Sequence, residues 1–420
     1  MYLLERRICD KKAFLWSIFT VQLILIAAVV LIFGSWNTNE LFEIDGNVKF
    51  VKNYSENAFT NGVSELSRRN NDVRRIDKNG DFSKEFINSS LEDESLCFRD
   101  GIEPGDDNSI CKCKSDYHGR DCGQPEVLWR AFMTSKIPLN LALPRREPHK
   151  IIYFIQATII SMETLKIQIM ELNEIVDLFV LCDSSVTRDQ SFRLNATEFL
   201  KQMDRKILVL SDRKCTPKVV YKKFRRGVGG EKGVTADDVV LFSNSDEILN
   251  WRAVKYFKWY DNWPQPVRFR LKYTVYGYYW QHPQNTIIGS AACQISMLEE
   301  IFKGDPARMT ATKKSGMIVG DLNYVGGWFC QYCYHPLEIV KKLLQEEKDV
   351  FLDDKKVIDP TYIEHLIGNG LYVDGKIGLT RLHRFSGKCY APDFVSTGLS
   401  WRYQHILTNV YATYDDYENE

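Results

Sequence analysis

Asp246 and Glu247 follow an unbroken apolar run, Val239-Val240-Leu241-Phe242, across the polar tripeptide Ser243-Asn244-Ser245. A short apolar run bounded by polar residues reads as a central strand, and open α/β sheets collect ligands at the carboxyl ends of such strands. Carboxylates placed there are hard oxygen ligands suited to Mn²⁺ or Mg²⁺. A cation so held would neutralise a diphosphate, and the chemistry implied is that of a nucleotide-sugar site. The same residues also suit a plainer role. An Asp-Glu pair ahead of Ile248 and the stretch Trp251 to Tyr260 makes an acidic helix N-terminus that favours the helix dipole, and both readings stay open.

The elements that must position this turn begin at Lys150. Ile151-Ile152-Tyr153-Phe154-Ile155, Leu178-Phe179-Val180-Leu181 and Ile207-Leu208-Val209-Leu210 read as strands. Met162 to Leu172 and Ala196 to Met203 read as the helices between them. Strand, helix, strand, helix predicts a parallel α/β sheet, with Asp183 at a second strand end beside the first crevice. The helix from Trp251 to Asp261 is followed by Val267 to Tyr273, whose period of two marks a strand with one wet face.

The chain has 420 residues, with 55 Lys and Arg against 55 Asp and Glu, and so carries no basic footprint for nucleic acid. Ala13 to Gly34 is nearly all apolar, and at about 1.5 Å per residue it reaches roughly 33 Å, enough to cross a bilayer. Arg6, Arg7, Lys11 and Lys12 precede it, and Ser35 to Asn39 carry no positive charge. The positive-inside rule then gives a cytoplasmic tail at 1–12, a single-pass signal-anchor at 13–34 and a luminal remainder. All cysteines except Cys9 lie beyond the anchor, where an oxidising compartment would pair most of them. Sequons at Asn53, Asn88 and Asn195 are candidate glycosylation sites.

Residues 35–96 are polar and charged without a sustained apolar period, which predicts a disordered or loosely helical stem. At 97–123, Cys97, then Cys111-Lys112-Cys113, then Tyr117-His118-Gly119-Arg120-Asp121-Cys122 resembles the C-terminal half of an EGF-like module. That resemblance implies Cys97 with Cys111 and Cys113 with Cys122, stapling a piece too small for a core of its own. A zinc site here would need a His pair or a second C-x₂-C at finger spacing, and neither is present.

Several blocks occur in an order seen in one family: 151–183, Asp246-Glu247-Ile248, Tyr276-Gly277-Tyr278-Tyr279-Trp280, Gly326-Gly327-Trp328-Phe329-Cys330-Gln331-Tyr332-Cys333-Tyr334-His335-Pro336, and Tyr390-Ala391-Pro392. They resemble the β-1,4-mannosyl-glycoprotein 4-β-N-acetylglucosaminyltransferase family, over roughly Cys97 to Ala391. The resemblance implies a GT-A-like, Rossmann-like catalytic domain at 150–400 behind the transmembrane helix, stem and truncated EGF-like module. It implies a single-pass type II protein of the Golgi membrane that uses UDP-GlcNAc and Mn²⁺ (or Mg²⁺). The reaction would be an inverting β-1,4 transfer to the core β-mannose of N-glycan acceptors, giving bisecting GlcNAc. A base would deprotonate the acceptor hydroxyl while the metal stabilises the departing UDP. Asp246 is then the first choice for metal or diphosphate binding, with Glu247 in support or as base and Asp183 and Trp280 on the donor. Homo-oligomers or association with other Golgi transferases are further expectations.

The chain departs from the family pattern where Asn244-Ser245-Asp246 replaces Asp-x-Asp, so one anionic ligand is a neutral amide, whose oxygen can still coordinate a hard cation and keeps Asn244 beside Asp246 as an expected metal and donor ligand. Asp183 and Phe329 are milder changes. The segment from Lys214 to Asp237 is short and lacks the family's charged helix. Lys222, Lys223, Arg225 and Arg226 before Gly227, Gly229 and Gly230 read there as a basic loop, either solvated or around a diphosphate. These departures sustain an alternative, a weak or inactive luminal relative that binds glycoproteins or other transferases. Cys330 and Cys333 read as a structural disulfide, to each other or to other partners, and the remaining pairings stay open. Tyr273, Tyr276, Tyr278, Tyr279 and Trp280 suit stacking on sugar or uracil as well as core packing, with Trp280 first for the site. His282, His335, His365 and His383 lack the spacing of a helical metal site and read as surface or packing residues.

Overall fold

The computed structural model describes residues 76, 78, 80–88, 96–104, 111–135, 142–156, 162–183, 199, 203, 205–212, 214–227, 233–346, 359–384, 389–397 and 401–412. The expected anchor, with Asn53 and Asn195, lies outside the described residues, and of Asn88 only the backbone is described. Among the described residues no helix is long and apolar enough to cross a membrane.

The chain first forms α1 (Phe82–Glu85), β1 (Phe86–Asn88), β2 (Leu96–Phe98), β3 (Tyr117–His118), β4 (Gln124–Pro125) and α2 (Glu126–Thr134). Then come β5 (Ile151–Gln156), α3 (Met162–Leu172), β6 (Leu178–Asp183), β7 (Ile207–Ser211), α4 (Pro217–Arg226), β8 (Val239–Asn244), β9 (Glu247–Leu249) and α5 (Trp251–Trp259). The second half holds β10 (Val267–Val275), β11 (Gly277–Gln294), α6 (Ile295–Glu300), α7 (Pro306–Ala311), β12 (Met317–Val319) and β13 (Gly327–Gln331). It ends with α8 (Pro336–Glu346), α9 (Pro360–Gly368), β14 (Thr380–Arg381), α10 (Asp393–Ser396) and α11 (Gln404–Leu407).

One ten-stranded sheet, ordered β7-β6-β5-β8-β11-β10-β13-β9, dominates, with β12 on β10 and β14 on β11. The first four strands are parallel, as the sequence predicts. The expectation of an all-parallel sheet holds only for that half, and the rest is mixed: β11 runs antiparallel to β8 and β10 and β9 antiparallel to β13, while β12 and β13 run parallel to β10. The reason lies at Tyr276, whose φ of 63° turns β10 directly into β11. A tight hairpin can join only antiparallel strands.

The apolar runs of the parallel half are buried on both faces. Ile151, Tyr153 and Ile155 pack with α3 and α5, through Leu165, Ile169, Val254 and Phe257. Ile152 and Phe154 pack on the other side with Val220, Tyr221 and Phe224 of α4. The basic segment is therefore a helix and not the expected loop. Pro217 opens it, Val220, Tyr221 and Phe224 form its buried stripe, and Gly227 ends it. Lys223 and Arg225 are spent on Asp212 (2.6 Å) and Glu299 (2.7 Å).

The stem expectation is corrected at its end. Residues 81–88 form α1 and β1, and β1 pairs with β2. Phe86 drives this, buried between Phe82, Phe98 and Trp259. The segment expected to be EGF-like carries the disulfides Cys97–Cys111 and Cys113–Cys122. It has no separate core: Phe98, Tyr117 and Leu128 belong to the same cluster as Ile151 and Phe257. Tyr260 Oη donates to Asp121 (2.6 Å), and Lys255 pairs with Glu85 (2.6 Å) and Asp100 (2.5 Å), fastening it to α5. Cys182–Cys215 and Cys330–Cys333 are also bonded. Cys293, fully buried inside β11, and Cys389 are free, so most but not all of the cysteines beyond Gly34 are paired, as expected.

Candidate active site at the carboxyl edge of the sheet

From β5 the chain winds outward through β6 to β7, and β8 returns to the other side of β5. That reversal between β5 and β8 is the switch point at which open α/β sheets form a ligand crevice. Gln156 and Asn244, the last residues of the two strands, are paired in register there. A cleft of about 320 Å³ opens at this point, lined by Gln156, Asn244, Glu247, Arg268, Ser290 and Thr310 among others.

The turn Asn244 to Glu247 does not cap α5. Glu247–Leu249 is a strand paired to β13, and the cap is Asn250, whose side chain accepts from Arg252 N at 3.0 Å. The turn is clamped from inside the fold. Gln168 of α3, fully buried, donates to the carbonyls of Asn244 (2.8 Å) and Glu247 (2.6 Å). Tyr153 Oη meets Ser243 Oγ at 2.5 Å.

The two carboxylates of the turn go different ways. Glu247 faces the cleft side and accepts four hydrogen bonds, from Asn244 N (3.2 Å), Asn244 Nδ2 (2.9 Å), Ser290 N (3.0 Å) and Ser290 Oγ (2.7 Å). Gly289 leaves it room, since a Cβ there would stand 2.7 Å from Glu247 Oε1. Asp246 turns away from that cleft, takes a hydrogen bond from Tyr334 Oη, and pairs with Lys342 Nζ at 2.9 Å. Lys342 also reaches Tyr334 Oη at 3.1 Å, closing a three-membered network.

That network is built by the long Gly-Trp-Cys block. Gly327 lets β13 lie against β9, because a Cβ there would meet Ile248 O at 2.2 Å. Cys330 N donates to Asp246 O (2.9 Å), and the Cys330–Cys333 disulfide closes the next turn, where Tyr332 has φ 57°. Tyr334 is thereby delivered onto Asp246. Pro336 then starts α8, which brings Lys342 back from the other side.

Arg268 supplies the cleft's cation. Its guanidinium donates only to backbone carbonyls: Gly289 O (3.2 Å), Ile288 O (3.1 Å) and Thr310 O. Burial pushes it below its usual value, and the Glu247 carboxylate opposes that shift.

Asp183 closes β6 at the same edge of the sheet, with β5 between it and β8, and its side chain lies outside the described residues. Trp280, expected on the donor, does not line this cleft. Its Nε1 donates to Ile367 O at 2.8 Å and its ring covers Gly370. Tyr273, Tyr276, Tyr278 and Tyr279 join it in the second core, all five at 8% exposure or less. The residues that sequence reasoning missed are Gln168, Arg268, Tyr334 and Lys342. Gln168 alone left a signal, as a polar residue between Leu165 and Ile169 on the apolar face of α3.

The sequence profile described as glycosyltransferase family 17 matches residues 143–375, the stretch that holds the switch point, the acidic turn and the block around Cys330. The chain belongs to glycosyltransferase family 17. Among curated proteins it is similar to the β-1,4-mannosyl-glycoprotein 4-β-N-acetylglucosaminyltransferases of Homo sapiens and Mus musculus, each 26% identical over 340 residues. The match takes in 72% of this chain and 62% of each relative, so the chain spans less than two thirds of the length of these family 17 relatives.

Proposed function

We propose that this family 17 chain transfers GlcNAc from UDP-GlcNAc, with inversion, to the 4-hydroxyl of the core β-mannose of N-glycans, in the Golgi lumen behind a single-pass anchor. The observation that carries the reading is the acidic turn at the β5/β8 switch point beside a cleft whose cation is Arg268. Arg268 would face the diphosphate, where a fixed guanidinium binds phosphate oxygens well and stabilises charge that develops on the leaving group. Glu247 already accepts four hydrogen bonds, so its oxygens are committed to the turn and suit orienting better than proton abstraction.

A divalent cation enters the proposal only in a restricted form. Asn244 and Asp246 do not present a ready pair of ligands, because the Asp246 carboxylate carries Lys342 and Tyr334 while the Asn244 amide nitrogen is bound to Glu247. Mn²⁺ or Mg²⁺ would be held there only after Asp246 exchanges Lys342 for the ion. That same occupancy, with Asn244 neutral, supports a second reading: a weak or inactive relative that binds glycoproteins or other transferases.

The test is the full chain in detergent with UDP-GlcNAc and a biantennary N-glycan, with and without Mn²⁺, read by mass spectrometry and linkage analysis. A β-1,4-linked GlcNAc on the core mannose is the expected product. Folded protein that yields neither product nor free UDP would overturn the transferase reading in favour of the binder.

A further inference from the structure

We propose a second, separate site for a borderline transition-metal cation of the Zn²⁺ class, formed by Glu163, His335 and His405. The three come from distant parts of the chain: Glu163 from the first turn of α3, His335 from the residue before α8, His405 from α11. Their ligand atoms lie within 4.8 Å of one another, and among the described residues this is the one group of three His, Cys, Asp or Glu side chains that converges so. None of the acidic-turn residues belongs to it.

His405 Nε2 stands 3.1 Å from Glu163 Oε2. Bonds of about 2.0–2.1 Å in a tetrahedral site put neighbouring ligand atoms roughly 3.4 Å apart, so this pair already has the spacing of two ligands on one ion. His335 is stacked on His405, with ring centroids 4.4 Å apart and planes 16° apart. Near-parallel stacked rings keep their in-plane lone pairs in two separate planes that do not meet at one ion, so His335 must swing out of the stack to complete the site. It is exposed and has room to do so.

Two imidazoles and one carboxylate favour Zn²⁺ or a similar ion over Mg²⁺ or Ca²⁺, which prefer all-oxygen shells. Three protein ligands leave a further position for water. His335 directly follows Tyr334, which holds Asp246, and Glu163 shares α3 with Gln168, which clamps the acidic turn. An ion here would join α3, which clamps the acidic turn, to the segment that delivers Tyr334 onto Asp246.

The experiment is a Zn²⁺ titration of the chelator-stripped full chain by calorimetry, with bound metal counted after dialysis. About one equivalent is expected for the unsubstituted chain and for Asp246→Asn, and its loss is expected for His335→Ala and Glu163→Gln. His335 is exposed, so its variant should keep its melting midpoint without metal. Absence of saturable Zn²⁺ binding, or an unchanged equivalent in His335→Ala, would overturn the site. The readout needs neither donor nor turnover, so it fails or succeeds independently of the transferase reading.

Discussion

Two buried Lys–Asp pairs sit at opposite edges of the same sheet. At the amino edge, Lys258 of α5 meets Asp177 at 2.7 Å, with side-chain exposures of 2% and 0%. At the carboxyl edge, Lys342 of α8 meets Asp246 at 2.9 Å, with 10% for each. The first pair is tied into the backbone on both sides, since Asp177 also accepts Ile151 N (2.7 Å) and Lys258 also donates to Ile175 O (2.7 Å). The second is backed only by side-chain hydroxyls, those of Tyr334 and, at 3.5 Å, Ser245. A buried pair whose remaining hydrogen-bonding capacity goes to the main chain holds elements in place; one whose partners are only side chains can be exchanged. The comparison separates a pair locked to the main chain from one held by side chains alone, though the residue types are the same.

The sharpest way to break the comparison is to remove a lysine. Lys258→Met leaves Asp177 buried and uncompensated where burial already pushes the Lys258 ammonium down and Asp177 opposes it. The expected loss is about 3–5 kcal/mol of unfolding free energy. Denaturant titration of the purified variant measures it, and a loss below about 1 kcal/mol would mean that the amino-edge pair is as exchangeable as the other. At the carboxyl edge, Asp246→Asn should keep the fold, because an amide can still bond Tyr334. Transfer should fall by about 10²–10³, roughly 3–4 kcal/mol of barrier. Normal kcat/KM in a folded Asp246→Asn protein would remove Asp246 from the machinery.

Glu171 sharpens the same contrast as a buried carboxylate held by main-chain donors. It accepts Phe394 N at 2.8 Å and Asp393 N at 3.3 Å, and burial raises its pKa from 4.5 to about 7. The folded chain therefore keeps a proton that the unfolded chain gives up near 4.5. The resulting stability is full below that pH, declines as pH rises towards 7, and is gone above it. Glu171→Gln should flatten this decline, worth ~3 kcal/mol between pH 4.5 and 8. Unfolding free energies at those two pH values measure it, and an unchanged slope would show that Glu171 ionises normally in the fold.

Legibility in the sequence followed how local the cause was. The parallel strands show as apolar runs because both faces are covered, and the acidic turn shows because polar residues end such a run. The disulfides Cys97–Cys111, Cys113–Cys122 and Cys330–Cys333 were expected and are present, closing loops of short sequence separation. What escaped depends on distant partners. Lys342 lies 96 residues from Asp246, and nothing local says that it turns inward while Lys341 stays exposed. The Tyr276 to Trp280 run is equally suited to a ligand and to a core until the helices behind it are known. In α4 the lysines and arginines masked a short apolar stripe whose partners, Phe154 and Phe242, lie on other strands.

The smallest expected effect belongs to Asn244, and it joins the two halves of the contrast. Asn244 Nδ2 donates to Glu247 Oε1 at 2.9 Å, so Asn244→Asp would place two carboxylates against each other without an ammonium between them. One carboxylate would have to keep a proton or move away, at a cost of about 1–2 kcal/mol at neutral pH. The same change restores a second anionic ligand beside Asp246, so Mn²⁺ should reverse the loss. The expected readout is a melting midpoint a few degrees below that of the unsubstituted chain without metal and recovering in millimolar Mn²⁺, roughly as this free-energy range implies. A midpoint that falls and stays down would mean that Lys342 holds Asp246 too firmly for the exchange, and the cation at this edge of the sheet would be the protein's own.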